Sequence, residues 1–211
     1  MKYSNVLFDL GGVLIDVDVR RSLLSFAKMV QVPQTGNIPN SLSEMVNAEG
    51  LLGGHSSELI DQYQVGTIST DYFIDALLSQ CRPGTTRQQI IDAWYAMLIG
   101  IQPEKKEVLK QLIAAGKNIY VLSNINELHV DWTLAHCPEL QVAKRLFFSN
   151  EIHLSKPDPR CYELVLNETG IDPQDTVYID DLLPNIEAGR QFGFQCIQAM
   201  PDNNWIKQIL P

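Results

Sequence analysis

Short apolar runs ending in polar residues alternate along most of the chain with stretches of helical spacing. Val6–Leu10 is the first run, and it leads into an acid and two glycines, Asp9, Gly11 and Gly12. Runs this short and this apolar predict strands buried on both faces of a parallel sheet. Asn118–Leu122 predicts a second strand, after a helix expected from Pro103 to Gly116 that sets Val108, Leu109, Leu112 and Ile113 on one face. Pro157–Gly170 then reads as a helix feeding the strand Thr176–Ile179, and Pro184–Phe192 as a helix, stopped by Gly193, feeding the strand Gln195–Gln198. Leu146–Phe148 adds a further short strand. Alternating strand and helix with short links predicts an α/β fold, a doubly wound parallel sheet of the Rossmann type.

The stretch 17–96 breaks this rhythm. It predicts no strand, only helices near Arg20–Val30, Ser41–Asn47, Ser56–Tyr63, Thr70–Cys81 and Thr86–Leu98, separated by polar or Gly/Pro links such as Pro33–Asn40 and Arg82–Thr85. Ser69 or Thr70 and Thr85 or Thr86 are the expected N-caps of two of them. The expectation is a core built from 1–16 and 97–211 with a small α-helical insertion, 17–96, between its first strand and the rest of the sheet.

Length and composition support that division. The chain has 211 residues, 45% of them hydrophobic, enough to bury one α/β core with an added element. A formal net charge of −9 repels nucleic-acid phosphates and anionic membranes, so neither is an expected partner. Cys81, Cys137, Cys161 and Cys196 form no CxxC pair and read as reduced thiols, not as a zinc site or a disulfide framework. No apolar run reaches the length of a membrane span, and the expected location is cytoplasmic. A monomer or homodimer is expected.

In a doubly wound sheet, ligands bind beyond the carboxyl ends of the strands. The predicted strands end in Asp9, in Ser123-Asn124 and in Asp180-Asp181, and Lys156 lies in the loop Ser155–Pro159 between the last two. Three carboxylates gathered at one edge repel one another unless a hard cation sits among them, and Mg²⁺ suits oxygen ligands while leaving positions for water and phosphate. A carboxylate can attack phosphorus, and a cation, a lysine and Ser/Asn donors can spread over phosphoryl oxygens. A small phosphate ester is therefore the expected substrate, and Mg²⁺ the expected cofactor.

These motifs resemble those of the haloacid dehalogenase-like hydrolases. FDLGGVL is similar to the first motif of that family, with Asp9 as nucleophile. VLSN is similar to the second, with Ser123 binding phosphate and Asn124 beside it; SKPDP is similar to the third, with Lys156 orienting the phosphate. YIDDLLPN resembles the fourth. The resemblance implies Asp9, the Gly11 carbonyl and Asp181 as metal ligands, Asp180 holding metal-bound water, and Asn185 as a polar neighbour. It also implies a helical cap at 17–96. The wording Ser123-Asn124-x-Asn126-x-x-His129, together with Trp94 and FDLGGV, resembles a branch with bacterial glucose-1-phosphatase-like enzymes and the N-terminal phosphatase domain of soluble epoxide hydrolases. That likeness suggests a sugar phosphate or another small organophosphate, with the sugar phosphate favoured.

One position departs from the family. Two residues after the nucleophile, where most phosphatases of the family carry an Asp that protonates the leaving oxygen, this chain has Gly11. Losing such a group lowers rate by about 10²–10⁴ unless it is replaced or the leaving group is good. Asp16, His55 and His129 are the candidate replacements, although Asp16 reads more readily as a turn residue and the histidines as structural or surface residues. The rival readings are a 2-haloacid dehalogenase, which attacks carbon without a metal, and a weak or inert member that only binds a phosphometabolite.

Overall fold

The computed structural model describes residues 3–29 and 56–210. The expected helix Ser41–Asn47, the link Pro33–Asn40 and His55 lie outside the described residues.

Five parallel strands form the sheet in the order β5-β4-β1-β6-β7. They are β1 (Asn5–Phe8), β4 (Asn118–Ser123), β5 (Arg145–Phe148), β6 (Thr176–Asp180) and β7 (Gln195–Gln198). β1 is central, with Phe8 level with Val121 of β4 on one side and Ile179 of β6 on the other. Every residue of β1 is buried, as a central strand covered on both faces requires. Alternation sorts its side chains. Val6 and Phe8 pack with Val121, Ile179, Leu109 and Trp205 in one core layer. Leu7 packs with Leu122, Tyr178, Phe147, Tyr162 and Ile186 in the other. Helices Pro103–Ala114 and Trp205–Ile209 supply the first layer; Pro159–Thr169 and Leu183–Gln191 supply the second. Each such apolar side chain contributes about 1.5–3 kcal/mol by leaving water.

Element boundaries follow local chemistry. Pro103 occupies the first turn of its helix, where a missing N–H costs nothing. Asp158 caps Pro159–Thr169 by accepting from the Arg160 N–H. Among the expected N-caps, Ser69 accepts from Tyr72 N–H, and Thr86 forms a reciprocal capping box with Gln89.

Two elements correct the sequence reading. A two-stranded antiparallel ribbon, β2 (Ile15–Val17) with β3 (Leu98–Ile101), frames the insertion, and the 16/17 boundary falls inside β2. Leu98, expected to close a helix, is a strand residue; that helix is Arg87–Tyr95. Three- and four-residue strands that pair only with each other leave too little pattern to be read alone. Helices Glu127–His136 and Trp205–Ile209 were also not anticipated. The first buries Leu128 toward the insertion and Val130 toward the sheet, so its apolar positions make no single stripe.

The described helices of the stretch 17–96 share their own core, with Leu23, Phe26, Tyr63, Phe73, Ile90 and Trp94 around it. Leu128, on the helix Glu127–His136, joins that core. Tyr63 stacks on Phe73 at 4.1 Å, and Phe73 meets Trp94 edge-on at 4.9 Å. Among the described residues, no helix is long and apolar enough to cross a membrane, and all four cysteines are free.

Candidate active site

The register of three neighbouring strands builds the site. β1, β4 and β6 run side by side, so the residues at their carboxyl ends come level. Asp9 directly follows β1, and its N–H donates to the Ile179 carbonyl at 2.9 Å, continuing the ladder toward β6. Ser123 ends β4 and Asp180 ends β6, with Asp181 next. Asn124 fastens the loop that carries Lys156. Its amide nitrogen donates to the Lys156 carbonyl at 2.9 Å, and its amide oxygen accepts from the Lys156 N–H at 2.8 Å. The Lys156–Pro157 peptide is cis.

Lys156 thereby reaches between two acids. Its ammonium lies 3.0 Å from Asp9 Oδ1 and 2.5 Å from Asp180 Oδ2, with almost no exposed side-chain surface. Asp180 is fully buried and fully engaged. Oδ2 also accepts from the Tyr178 hydroxyl at 2.6 Å; Oδ1 accepts from the Leu182 N–H and the Asn185 amide, each at 2.9 Å. Asp9 Oδ1 accepts from the Leu10 N–H at 2.7 Å. Among the described residues, no side chain bonds the Asp181 carboxylate, and only the Asp181 backbone carbonyl is held, by Gln198 at 2.9 Å.

These surroundings separate the acids. Burial pushes the Asp9 carboxyl up to about 6, against the pull of Lys156 and with a further push from Asp180. Burial and the neighbouring Asp180 also raise Asp181. Burial opposes ionisation of Asp180 too, but Lys156 and the Tyr178 and Leu182 donors outweigh it and hold it below the usual carboxylate value. For Lys156, burial disfavours the charged form, yet Asp9 and Asp180 together keep the ammonium more basic than an ordinary lysine.

Oxygens of Asp9, Asp180 and Asp181 all lie within 4.8 Å of one another. One lysine cannot neutralise three carboxylates. An all-oxygen cluster with excess negative charge fits a hard divalent cation such as Mg²⁺. Because Asp180 has four donors already, Asp9 and Asp181 are the acids with coordinating capacity left.

The two glycines after Asp9 differ sharply. Gly12 has φ +73°, and a Cβ there would meet Asp181 Oδ2 at 2.7 Å. The close approach of this turn to Asp181 thus depends on a missing side chain. A Cβ on Gly11 would meet only Val17 Cγ2, at 3.8 Å.

Both described candidates for the missing acid are already paired. Asp16 pairs at 2.5 Å with Lys105, a buried lysine on the helix Pro103–Ala114. His129 is buried, its Nε2 lies 3.1 Å from the Trp94 carbonyl and its Nδ1 3.2 Å from the Asn126 amide nitrogen. A neutral ring that donates from Nε2 and accepts at Nδ1 satisfies both contacts. Burial lowers its pKa to about 4, although the Trp94 carbonyl pulls the other way. His129 is structural, as its sequence context favoured. Asn185 supports Asp180.

Sequence reasoning missed Tyr178, which interrupts an apolar strand with a hydroxyl aimed at the strand's own terminal acid. Its position two residues before Asp180, on the same face of β6, was the available signal. It also missed Gln198, and although it singled out Trp94, Asn126 and His129 it did not foresee that they bond one another, the Trp94 indole N–H donating to Asn126 Oδ1 at 3.2 Å.

Two hollows flank the Leu10–Gly12 turn. A half-open cavity of about 240 Å³ begins at Gly11, Ser123 and Asn124 and runs toward Trp94. A similarly open cleft of about 540 Å³ lies on the other side, by Gly12, Asp16, Lys105 and Asp181.

Similarity to known proteins agrees with this arrangement. D-ribitol-5-phosphate phosphatase of Bacteroides thetaiotaomicron is 22% identical over 215 residues, covering 98% of this chain and 96% of the relative. (S)-2-haloacid dehalogenase 4A of Burkholderia cepacia is 22% identical over 202 residues, covering 94% of this chain and 83% of the relative. A HAD family enzyme of Bacteroides thetaiotaomicron superposes with TM-score 0.83 at 25% identity over the full length of both chains. Its magnesium complex superposes with TM-score 0.79 at 25% identity, covering 97% of each chain. The family model for haloacid dehalogenase-like hydrolases matches residues 3–193. Matched from Tyr3 to Gly193, with these acids around one lysine, the chain belongs to the haloacid dehalogenase-like hydrolases.

Proposed function

We propose that this hydrolase is a Mg²⁺-dependent phosphatase acting on a small phosphate monoester. The observation that carries the reading is Lys156 wedged between Asp9 and Asp180, with Asp181 completing a cluster of oxygens within 4.8 Å. An Asp9 oxygen attacks phosphorus, the bond from phosphorus to the ester oxygen breaks, and the departing alkoxide takes a proton from water. A second water then attacks phosphorus, releasing inorganic phosphate and the free Asp9 carboxylate. Lys156 orients the phosphoryl oxygens and offsets their charge, Ser123 donates to them, and Asn124 keeps the Lys156 loop in place. Asp9, the Gly11 carbonyl and Asp181 would hold Mg²⁺, which supplies positive charge for the phosphoryl oxygens, with Asp180 in its outer environment. The helical insertion, 17–96, acts as a cap on the core of 1–16 and 97–211 and selects the substrate.

The relative that carries magnesium supports the cofactor, and the relative that cleaves a polyol phosphate supports the reaction. That relative, like the branch resemblance in the sequence, favours a sugar or polyol phosphate. A dehalogenase binds a carboxylate substrate, which a cluster of three acids repels. Phosphate release from p-nitrophenyl phosphate tests the reading: it should require Mg²⁺, stop with EDTA and vanish in Asp9→Asn. Turnover by Asp9→Asn would reject the nucleophile, halide release from a 2-haloacid without metal would establish the dehalogenase, and phosphate binding without turnover would establish the inert member.

A further inference from the structure

The cavity that begins at the catalytic turn has a wall ill-suited to a sugar. Val17, Ile60, Trp94, Met97, Leu98 and Ile125 line it, four from helices or strands and two, Met97 and Ile125, from loops. Polar side chains are present too, but those of Asn124, Asn126 and His129 are already engaged. The Asn124 amide bonds the Lys156 backbone at both ends. The Asn126 amide joins Trp94 and His129, and both His129 nitrogens have partners. The Gln64 amide nitrogen donates to the Asn124 carbonyl at 2.9 Å. The hydroxyls of Ser123 and Thr133 and the Gln64 amide oxygen remain, among the described residues.

A polyol entering this space would give up water at each hydroxyl and regain few bonds. An unpaired buried hydroxyl is costly, whereas each buried methylene is favourable. Size gives a second constraint. A protein cavity of about 150 Å³ lined by apolar side chains accepts benzene. At about 240 Å³, this one has room for a somewhat larger group.

Resting on the phosphatase reading, we infer that the preferred substrate is the phosphate monoester of an apolar alcohol of roughly six to ten carbons. The phosphate sits by Asp9 and Lys156, and the hydrocarbon lies along Ile60, Trp94 and Met97. Ser123 and Asn124 stand where the two parts of the substrate join. The specificity-determining residues are then Val17 and Ile60, which line the cavity but belong to neither the acid cluster nor its hydrogen-bonded supports.

The experiment measures phosphate release with Mg²⁺ from methyl, butyl, hexyl and octyl phosphate, with ribose 5-phosphate and glucose 6-phosphate alongside. kcat/KM should rise about three- to fourfold per added methylene from butyl onward, and hexyl phosphate should exceed both sugar phosphates by at least tenfold. Ile60→Gln should flatten that rise, lowering kcat/KM more for octyl than for methyl phosphate, and Val17→Gln provides the same test should Ile60→Gln fail to fold. Equal rates along the series, faster sugar phosphates, or an unflattened rise in both variants would overturn the inference while leaving the phosphatase reading intact. No release from any ester would instead overturn the phosphatase reading.

Discussion

Replacing Gly12 with alanine should damage this protein far more than replacing Gly11, although the two residues are adjacent and chemically identical. Gly12 has φ +73°, a region where an L side chain costs roughly 1–2 kcal/mol. Its added Cβ would stand 2.7 Å from Asp181 Oδ2 and 2.9 Å from Asp181 Cγ. Ordinary contact begins near 3.4 Å, so the carboxylate must retreat by about 3.4 − 2.7 = 0.7 Å. Catalytic groups must stay within about 0.5 Å of working geometry, and an error near 1 Å costs about 10²-fold. Gly12→Ala is therefore expected to lose roughly 1–2 kcal/mol in urea unfolding, and to lose ten- to a hundredfold in kcat/KM with a raised Mg²⁺ requirement. Gly11→Ala meets only Val17 Cγ2 at 3.8 Å and has no positive φ. It should stay within about 0.5 kcal/mol of the parent in stability, with a near-parental Mg²⁺ titration. Equal behaviour of the two variants in unfolding and in the Mg²⁺ titration would refute the argument that the turn's approach to Asp181 sets the site.

The open space at Gly11 also invites Gly11→Asp, which should speed alkyl phosphate turnover, by at most about 10²–10⁴, if a proton donor is what the site lacks; the gain should be smaller for p-nitrophenyl phosphate, whose leaving group scarcely needs a proton. Tyr178→Phe removes one donor from buried Asp180 and should cost roughly 1.5–3 kcal/mol in urea unfolding; an unchanged midpoint would show that the hydroxyl supports nothing. His129 is neutral when folded, with its pKa lowered to about 4 from an ordinary 6.5 by burial. The unfolded chain therefore takes up that proton first as pH falls, and the contribution, complete above pH 6.5, is lost on descent toward pH 4, by about 3 kcal/mol. Urea unfolding at pH 7 and pH 4 in the parent and in His129→Asn should show that excess loss in the parent alone.

Much of this architecture could be read from the chain because central parallel strands are continuous apolar runs and their endings are polar. Asp9, Ser123 and Asp180 were located by that rule, and strand register then brings them level. The β2–β3 ribbon escaped because a strand pair beside a helical insertion has no alternation long enough to stand out. The helix Glu127–His136 escaped because it serves two cores at once, with Leu128 in one and Val130 in the other. Side-chain partnerships are harder still, since they join distant segments. Nothing near Asn124 in the chain shows that its amide will hold the Lys156 loop, and nothing near Asp16 shows that it will pair with Lys105.

Asp180 and Asp181 show how adjacent identical residues acquire different chemistry. Asp180 is the last residue of β6, so its side chain projects to the same face as that of Tyr178 and meets Lys156 and Asn185. Four donors hold it ionised, and those same donors leave it no lone pair to offer. Asp181 begins the turn into the helix Leu183–Gln191 and faces Gly12, with no side-chain donor among the described residues. Burial and the neighbouring Asp180 raise its pKa against weaker pulls from Lys156 and the adjacent backbone, and the lack of side-chain donors leaves its oxygens available to a cation. Asp9 is intermediate in its donors: it shares Lys156 with Asp180 and accepts from the Leu10 N–H, so it is neither as fixed as one neighbour nor as open as the other. The proposed nucleophile requires that position: it must be held in place by the lysine, yet keep an oxygen free to form a bond to phosphorus. On that proposal, the arrangement divides support, metal binding and attack among three carboxylates according to how many donors each already has.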